Sequence, residues 1–134
     1  MSVSNAEPKW LSITQMMMLH AELLKLFGGS AGIRDQGLLE SALKRPRNRW
    51  HYEQTVTIFE LAAAYGFGIA KNHAFVDGNK RTSLLAIRTF LFSNGYSFSP
   101  DEIETVTMIE GLAGGSVDED LLASWIEENS SKQT

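Results

Sequence analysis

The sequence contains no cysteine, and this absence excludes several kinds of chemistry. Without cysteine the chain cannot form a disulfide scaffold, bind a metal through thiolates, or use a thiol as a nucleophile or redox group. Its three histidines, His20, His51 and His73, lie far apart in the sequence, so the close ligand spacing of a zinc site is missing. The side chains that remain as candidates for a functional site are imidazoles, carboxylates and cations.

The sequence also lacks a long apolar run and an excess of positive charge. No stretch approaches the roughly 20 apolar residues of a membrane-spanning helix, and residues 1–12 have neither the basic nor the apolar region of a signal peptide. The net charge of −4 and an isoelectric point near 5.3 argue against general binding to nucleic acid but allow a local basic pocket. We expect a cytoplasmic protein without membrane contact or direct nucleic-acid binding.

Size and composition predict one globular unit. A chain of 134 residues with 43% hydrophobic and 21% charged residues buries roughly two-thirds of the surface that its unfolded form exposes, which supports one core but not separate cofactor and substrate domains. We expect residues 1–134 to form a single domain. Any active site must then be built from few residues.

Capping signals divide the chain into six predicted helices. A Ser or Thr followed three residues later by Glu or Gln is typical of a helix start, and four such pairs occur: Ser12 with Gln15, Thr57 with Glu60, Ser99 with Glu102, and Ser116 with Glu119. Pro100 suits a first helical position, and glycine-containing stops lie at 28–32, 94–95 and 114–115. These signals predict helices at about 13–27, 36–44, 58–71, 79–93, 100–112 and 117–128.

Three segments fall outside the predicted helices. Residues 45–52 contain Pro46 and show no helical periodicity, so we expect a loop. With Lys44 this loop concentrates four cations, and two interpretations stay open: a functional loop that contacts nucleic acid, and an ordinary solvated loop. Residues 96–98 alternate like a strand but are too few to imply a sheet. The polar tail 130–134 is expected to be frayed.

The segment 72–82, NHAFVDGNKRT, is the strongest candidate for a functional site. It joins two helices with strongly apolar faces, so it is expected to rest on a rigid base. Gly78 and Asn79 open the second helix, where free backbone N–H groups and the positive end of the helix dipole favour a phosphate. Lys80 and Arg81 add two cations at an end where a purely structural sequence would favour Asp or Glu. These residues predict a phosphate-binding site.

The same segment supplies a base and a metal ligand. A neutral histidine accepts a proton near neutral pH, so His73 is a candidate general base. Asp77 offers the carboxylate oxygen that Mg²⁺ accepts when the ion also binds phosphate oxygens. Phe75 is expected to point into the core and anchor the loop. Each residue type alone is common at helix ends and turns, whereas the combination within nine residues is specific.

This segment, His73-Ala74-Phe75-Val76-Asp77-Gly78-Asn79-Lys80-Arg81, resembles the signature of the Fic/Doc superfamily. The more common Fic form reads His-x-Phe-x-Asp/Glu-Gly-Asn-Gly-Arg-x-x-Arg. The Doc (death on curing) toxins read His-x-Phe-x-Asp/Asn-Ala/Gly-Asn-Lys-Arg, which this chain matches completely; residues 32–35 and 94–95 match more loosely. The resemblance implies an all-α fold, a compact six-helix bundle with a short flap before the third helix. It also implies that His73 is the base, that Asp77 holds Mg²⁺, and that ATP is bound by Gly78, Asn79, Lys80 and Arg81.

Two departures from the Fic form bear on the reaction. Lys80 replaces a glycine that lets the phosphate chain lie close to the backbone, and Leu84 replaces the second arginine. Fic enzymes generally transfer AMP to a target hydroxyl, whereas Doc toxins are protein kinases that transfer the γ-phosphate. The resemblance therefore favours a Doc-type toxin with Ser/Thr kinase activity. The alternatives are AMP transfer by the same site and a catalytically silent Fic-like binding module.

The resemblance also implies partners. In the family, a flap that precedes the two helices flanking the signature segment engages the protein target. Residues 45–52 are the nearest candidate for this flap. Doc kinases are associated with elongation factor Tu, which implies a translation factor as the target and arrest of translation and growth as the result. A small, partly disordered antitoxin covers a groove on such toxins. Residues 16–19, Met-Met-Met-Leu, are candidates for that groove, although a methionine run in a helix more often fills a core.

Residues 124–129, SWIEEN, resemble the inhibitory helix of some Fic proteins, in which a glutamate pairs with the second motif arginine. Because residue 84 is leucine, Glu128 lacks that partner and we expect no self-inhibition. The ordinary interpretation is an amphipathic terminal helix whose inward residues are Leu121, Leu122, Trp125 and Ile126.

Overall fold

A computed structural model describes residues 6–134, and within this range the chain forms six helices and two short strands. In chain order they are α1 (Ile13–Phe27), α2 (Gln36–Tyr52), α3 (Ile58–Asn72), α4 (Asn79–Ser93), β1 (Tyr96–Phe98), α5 (Glu102–Gly114), α6 (Glu119–Glu128) and β2 (Ser130–Lys132). All six predicted helices are present, and the predicted all-α class is confirmed. Within the same residues, no helix is long and apolar enough to cross a membrane.

Helix α3 lies at the centre and packs against α2, α4 and α6. Its small residues let the neighbouring helices approach closely. A Cβ on Gly66 would lie 2.5 Å from Cδ1 of Ile87 on α4, and a Cβ on Gly68 would lie 3.2 Å from the Cβ of Ala42 on α2. Because interiors are close-packed, these contacts fix α3 against both α4 and α2. The loop between them is held on a rigid base, as its flanking apolar patterns predicted.

Two of the four predicted capping boxes are present, at Ser12 with Gln15 and at Thr57 with Glu60. The boxes predicted at Ser99 and Ser116 are wrong, because each of those helices begins two residues later. Asp101 caps α5 by accepting from the N–H of Glu104 at 3.0 Å, and Asp118 caps α6 in the same way through Leu121. Pro100 therefore precedes the helix instead of opening it. A charged carboxylate also interacts favourably with the helix dipole, which explains why aspartate caps these ends.

The loop predicted over residues 45–52 is wrong, since α2 continues to Tyr52 with Pro46 inside it. Proline removes one helical hydrogen bond, but Pro46 is buried and contacts elsewhere support the helix beyond it. Arg45 and Arg49 both form ion pairs with Glu119 of α6. These tertiary contacts outweigh the local cost of the proline, and they leave residues 45–52 neither extended nor available as the predicted flap. Only residues 53–57 separate α2 from α3.

Two of the four cations of α2, Arg45 and Arg49, are paired with acidic side chains. Arg49 donates to both carboxylate oxygens of Glu53, from Nε at 2.8 Å and from Nη2 at 2.9 Å. This hydrogen bonding raises the pKa of Arg49 above its ordinary value and lowers the pKa of Glu53. These pairs neutralise two of the four cations, whereas Lys44 and Arg47 stay exposed, so the two interpretations of residues 44–52 both stay predictions.

The C-terminal tail is ordered, contrary to the prediction of a frayed end. Strand β2 pairs antiparallel with β1, and Phe98 lies opposite Ser130. The pairing is extended on both sides, because the N–H of Ser99 donates to the carbonyl of Asn129 at 2.9 Å and the N–H of Gln133 donates to the carbonyl of Gly95 at 2.8 Å. Two segments of three residues each give no strand signal alone, and their pairing joins distant parts of the chain.

The apolar faces of α1 and α6 are partly as predicted. In the methionine run, Met16 is fully buried whereas Met17 and Met18 are exposed, so one residue fills the core and two are on the surface. In α6 the inward residues Leu122, Trp125 and Ile126 are buried. Leu121 was predicted to point inward with them, but it is half exposed.

Tyr65 of α3 should make the protein sensitive to alkali. Its buried hydroxyl accepts a hydrogen bond from the N–H of Leu11 at 2.9 Å, and burial raises its pKa to about 12. An unfolded tyrosine has a pKa of about 10. The neutral hydroxyl therefore contributes stability that is complete below pH about 10 and is lost as the pH rises through about 12.

Replacing Tyr65 with Phe should remove this part of the pH dependence. At neutral pH the variant should lose about 1 kcal/mol, because the buried N–H of Leu11 loses its acceptor. Urea denaturation of both proteins from neutral to alkaline pH measures the effect. Stability curves that stay parallel across the alkaline range would contradict it.

Candidate active site

The predicted site residues lie on the loop after α3 and on the first turn of α4. His73 ends α3 in a left-handed conformation, with φ 50° and ψ 47°. Arg34 fixes this helix end by donating to the carbonyl of His73 at 2.7 Å and to that of Asn72 at 3.0 Å. The backbone of His73 is therefore held from outside the loop, while its side chain is exposed to solvent.

Phe75 anchors the loop, as predicted. Its side chain is buried, and its backbone forms an antiparallel bridge with Ile33. The ring stacks on the imidazole of His20, with 3.9 Å between centroids and 12° between planes. Nε2 of His20 also donates to the carbonyl of Asp77 at 2.8 Å. One buried histidine of α1 thus contacts the loop through both its ring face and its edge.

The side chain of Asn79 shapes the loop instead of facing the groove as a free ligand. Its Oδ1 accepts from the N–H of Phe75 at 3.0 Å, and its Nδ2 donates to the carbonyl of Phe75 at 2.9 Å. Each polar end thus has one partner within the protein, while the backbone N–H of Asn79, at the start of α4, has no partner inside the helix.

The start of α4 lacks the side-chain cap that the other helices have. Among the helices of residues 6–134, α1, α2, α3, α5 and α6 begin with a Ser, Thr or Asp whose oxygen accepts an N–H. Helix α4 begins after Gly78, in a left-handed conformation with φ 77° and without such a bond. The first N–H groups of a helix have no partner inside the helix. At α4 they are left for water or an anion, as the sequence predicted.

The carboxylate of Asp77 is held in place on both sides. Oδ1 accepts from the N–H of Gly78 at 2.9 Å, and Oδ2 accepts from the N–H of Ser30 at 3.2 Å. Gly29 lies so close that a Cβ on it would be 2.9 Å from Oδ2. The side chain is nevertheless exposed, and each oxygen keeps a further lone pair for another ligand.

The two motif cations have different partners. Nζ of Lys80 lies 2.8 Å from Oε1 of Glu110 on α5, so its charge is paired across the groove. The guanidinium of Arg81 lies 4.2 Å from the ring centroid of Phe27, the last residue of α1. Both cations are exposed to solvent.

All six predicted site residues line one open groove of about 590 Å³. Helix α5 forms its far wall with Thr105, Val106, Ile109 and Glu110, and Leu84 of α4 also lines it. A larger cavity of about 730 Å³ lies between α2 and α6, but the ion-paired Arg45, Arg49 and Glu119 line it and the motif residues do not. The groove therefore combines a basic, polar side on α4 with a wall on α5 to which Val106 and Ile109 contribute apolar surface.

Sequence reasoning missed three residues that shape this groove. His20 lies four residues after the buried Met16, so a polar residue on the apolar stripe of α1 was the available signal. Arg34 falls in the stretch 32–35, which was noted only as a loose family match. Glu110 gave no signal, because its contact with Lys80 depends on how α5 packs beside α4.

Glu128 stays outside the groove. It is the last residue of α6 and is not among the groove-lining residues that the structure describes. Leu84 occupies the position of the arginine with which an inhibitory glutamate would pair. The absence of self-inhibition through Glu128 stays a prediction.

Comparison with known proteins gives consistent matches. A model of the Fic/DOC family matches residues 10–91, which include the whole segment 73–81. The chain is 33% identical over 108 residues to the protein kinase doc of Escherichia phage P1, an alignment that covers 80% of this chain and 84% of that protein. It is 42% identical over 76 residues to the toxin Doc of Mycolicibacterium smegmatis, covering 56% of this chain and 58% of the relative.

Proposed function

Because the chain belongs to the Fic/Doc family, we propose that it is a Doc-type toxin of a toxin–antitoxin module, which transfers the γ-phosphate of ATP to a hydroxyl of a protein target. The observation that carries the proposal is the shared groove, in which the uncapped start of α4 lies with His73, Asp77 and two cations. The two relatives, a protein kinase and a toxin by name, support the same assignment.

In this mechanism His73 is the general base. Its side chain is exposed on a fixed backbone, so it can accept the proton of a target hydroxyl as that oxygen attacks the γ-phosphorus. The bond between the γ-phosphorus and the β–γ bridging oxygen breaks, and ADP leaves. The backbone N–H groups at the start of α4, with Lys80 and Arg81, stabilise the negative charge of the transferring phosphate. Positioning and electrostatics supply most of the catalysis, as is usual in phosphoryl transfer.

The residues of the site fit Mg²⁺ bound together with ATP. Within residues 6–134 no group of three or more histidines and carboxylates forms a cage for a metal ion. Mg²⁺ commonly binds through one or two carboxylates, substrate phosphates and water, so one ordered carboxylate suffices, and Asp77 would hold the ion. When bound, Mg²⁺ would neutralise phosphate charge that the helix start and the two cations leave uncompensated.

Two residues favour γ-phosphate transfer over AMP transfer. Lys80 stands where Fic enzymes have a glycine, so its side chain occupies space through which a polyphosphate would pass close to the backbone. Leu84 lines the groove where those enzymes have a second arginine, which removes one cation from that end. Both changes disfavour placing the α-phosphate near His73. AMP transfer by the same site is the alternative reaction.

The pair between Lys80 and Glu110 should weaken nucleotide binding. A polyphosphate that binds Lys80 must displace the carboxylate 2.8 Å away, and this carboxylate also repels the anion. Replacing Glu110 with Gln should therefore lower the KM for Mg·ATP by about two- to fivefold, since exposed ion pairs contribute up to about 1 kcal/mol. Glu127→Gln, which neutralises an exposed carboxylate of α6, is the control. An unchanged or higher KM for Glu110→Gln would contradict this role.

We also propose the partners that the family resemblance implies. The target is a translation factor, with elongation factor Tu as the first protein to test. The second partner is a small antitoxin, and the exposed Met17 and Met18 of α1 are the surface we assign to it. Since residues 45–52 are helical, we do not assign the target-binding flap to that segment.

Growth tests the toxin assignment. Expression of the wild-type protein in a bacterium without the antitoxin should arrest growth. A Lys80→Ala/Arg81→Ala double variant, which changes two exposed side chains, should not. The control Lys44→Ala/Lys132→Ala removes two exposed cations elsewhere and should remain toxic. Equal toxicity of all three proteins would favour the silent binding module over the enzyme.

A further inference from the structure

The contact between Phe27 and Arg81 joins the end of α1 to the motif helix. Phe27 is 59% exposed, so burial in the core does not account for the aromatic ring at this position. The guanidinium of Arg81 lies 4.2 Å from its centroid, well within the distance at which a cation is attracted to an aromatic face. We propose that Phe27 is a positioning residue, which holds Arg81 ready to bind the phosphates of the nucleotide.

The chemistry of this contact suits a phosphate ligand. A guanidinium that lies on a ring face keeps its N–H donors in its own plane, where they remain free to bind phosphate oxygens in pairs. Lys80 differs, because its ammonium is paired with Glu110 and must leave that partner before it binds an anion. Arg81 is thus ordered without being neutralised. The proposal depends on the proposed function in one respect, because it takes the bound anion to be a polyphosphate.

Other contacts fix Phe27 relative to the motif. Helix α1 ends at Phe27, and the N–H of Gly28 donates to the carbonyl of Leu24 at 2.8 Å. The next residues hold the motif directly, since the N–H of Ser30 donates to the carboxylate of Asp77. On the preceding turns of α1, His20 bonds the carbonyl of Asp77. The ring is therefore placed beside Arg81 by bonds on both sides of it.

Binding measurements on three single variants test the proposal. Tripolyphosphate and Mg·ATP are titrated separately by calorimetry into the wild-type protein, Phe27→Leu, Phe27→Tyr and Leu26→Ala. An exposed cation–aromatic contact corresponds to about a two- to fivefold change in affinity, so Phe27→Leu should weaken the binding of both anions by that factor. Phe27→Tyr keeps the aromatic face and should bind like the wild type. Leu26 is the adjacent exposed apolar residue, and Leu26→Ala should have no effect.

A double-mutant cycle separates positioning from a general structural effect. In an Arg81→Ala background, Phe27→Leu should cause no further loss, because the side chain that it positions is gone. The proposal is overturned if Phe27→Leu binds tripolyphosphate like the wild type, or if its loss persists in the Arg81→Ala background.

The two anions also separate this proposal from the proposed function. Tripolyphosphate binding that depends on Phe27, without phosphate transfer from ATP, would support the positioning role and contradict the kinase. A wild-type protein that binds neither anion would contradict both. The NMR signal of the Arg81 Nε–H group gives a readout without any ligand. A ring-current shift of this signal is expected in the wild type and in Leu26→Ala, and it should be lost in Phe27→Leu. Identical signals in these three proteins would overturn the positioning role.

Discussion

Replacing His73 with asparagine should lower the rate of phosphate transfer by about 10²- to 10⁴-fold, the range that a positioned general base contributes. The backbone of His73 is left-handed, at φ 50°, and asparagine tolerates that conformation better than most residues. The side chain is exposed and its carbonyl keeps the bond from Arg34. The variant therefore removes the base with little effect on the fold.

Two measurements on the His73→Asn protein check this expectation. The first is kcat with saturating Mg·ATP and target, and the second is the thermal midpoint Tm. A large loss of kcat with a Tm within a few degrees of wild type supports the role of His73. The control His51→Asn changes an exposed histidine of α2 and should keep full activity. A His73→Asn protein with near wild-type kcat would contradict the mechanism.

Replacing Asp77 with asparagine should lower the rate of transfer by at least about 100-fold, because a metal ion at a phosphoryl site contributes several kcal/mol. The amide is close in size, so the tight approach of Gly29 is kept. One carboxylate oxygen becomes an N–H₂ group, so the bond to either Gly78 or Ser30 is weakened. The main loss is the negative charge that would hold Mg²⁺.

The dependence of rate on Mg²⁺ concentration separates this role from a structural one. For Asp77→Asn the rate at fixed ATP should saturate only at much higher Mg²⁺ than for the wild type, as well as reaching a lower plateau. Asp120→Asn, which neutralises an exposed carboxylate of α6, should titrate like the wild type. If Asp77→Asn loses activity but keeps the Mg²⁺ dependence of the wild type, Asp77 does not hold the metal.

The part of the fold that sequence predicts well is the part set by local signals. The helix starts at Ser12 and Thr57 were predicted because both halves of each capping box lie within four residues. The start of α4 at Asn79 was also predicted from a local signal, because glycine at residue 78 suits the left-handed conformation that precedes the helix. The groove residues 73–81 come together because they are consecutive.

The caps of α5 and α6 are local features that sequence misplaced, because Asp101 and Asp118 lie two residues after the serines that also fit the pattern. The other features that sequence missed depend on contacts between distant segments. Pro46 is a local signal against a helix, yet α2 continues because Arg45 and Arg49 pair with Glu119, 70 and more residues away. The pairing of β1 with β2 likewise depends on two short segments meeting. In the groove, Glu110 contacts Lys80 only after α5 packs beside α4. Short-range patterns contain no information on such contacts.

The γ-phosphate of ATP, rather than AMP, is expected to be transferred to the target. The most direct test incubates the protein with elongation factor Tu, Mg²⁺ and ATP labelled at either the α- or the γ-position, with His73→Asn as the blank. Label should appear on the target from γ-labelled ATP alone, and the mass of the target should rise by that of one phosphate. Label from the α-position, with a mass increase of AMP, would contradict the account and assign the site to AMP transfer.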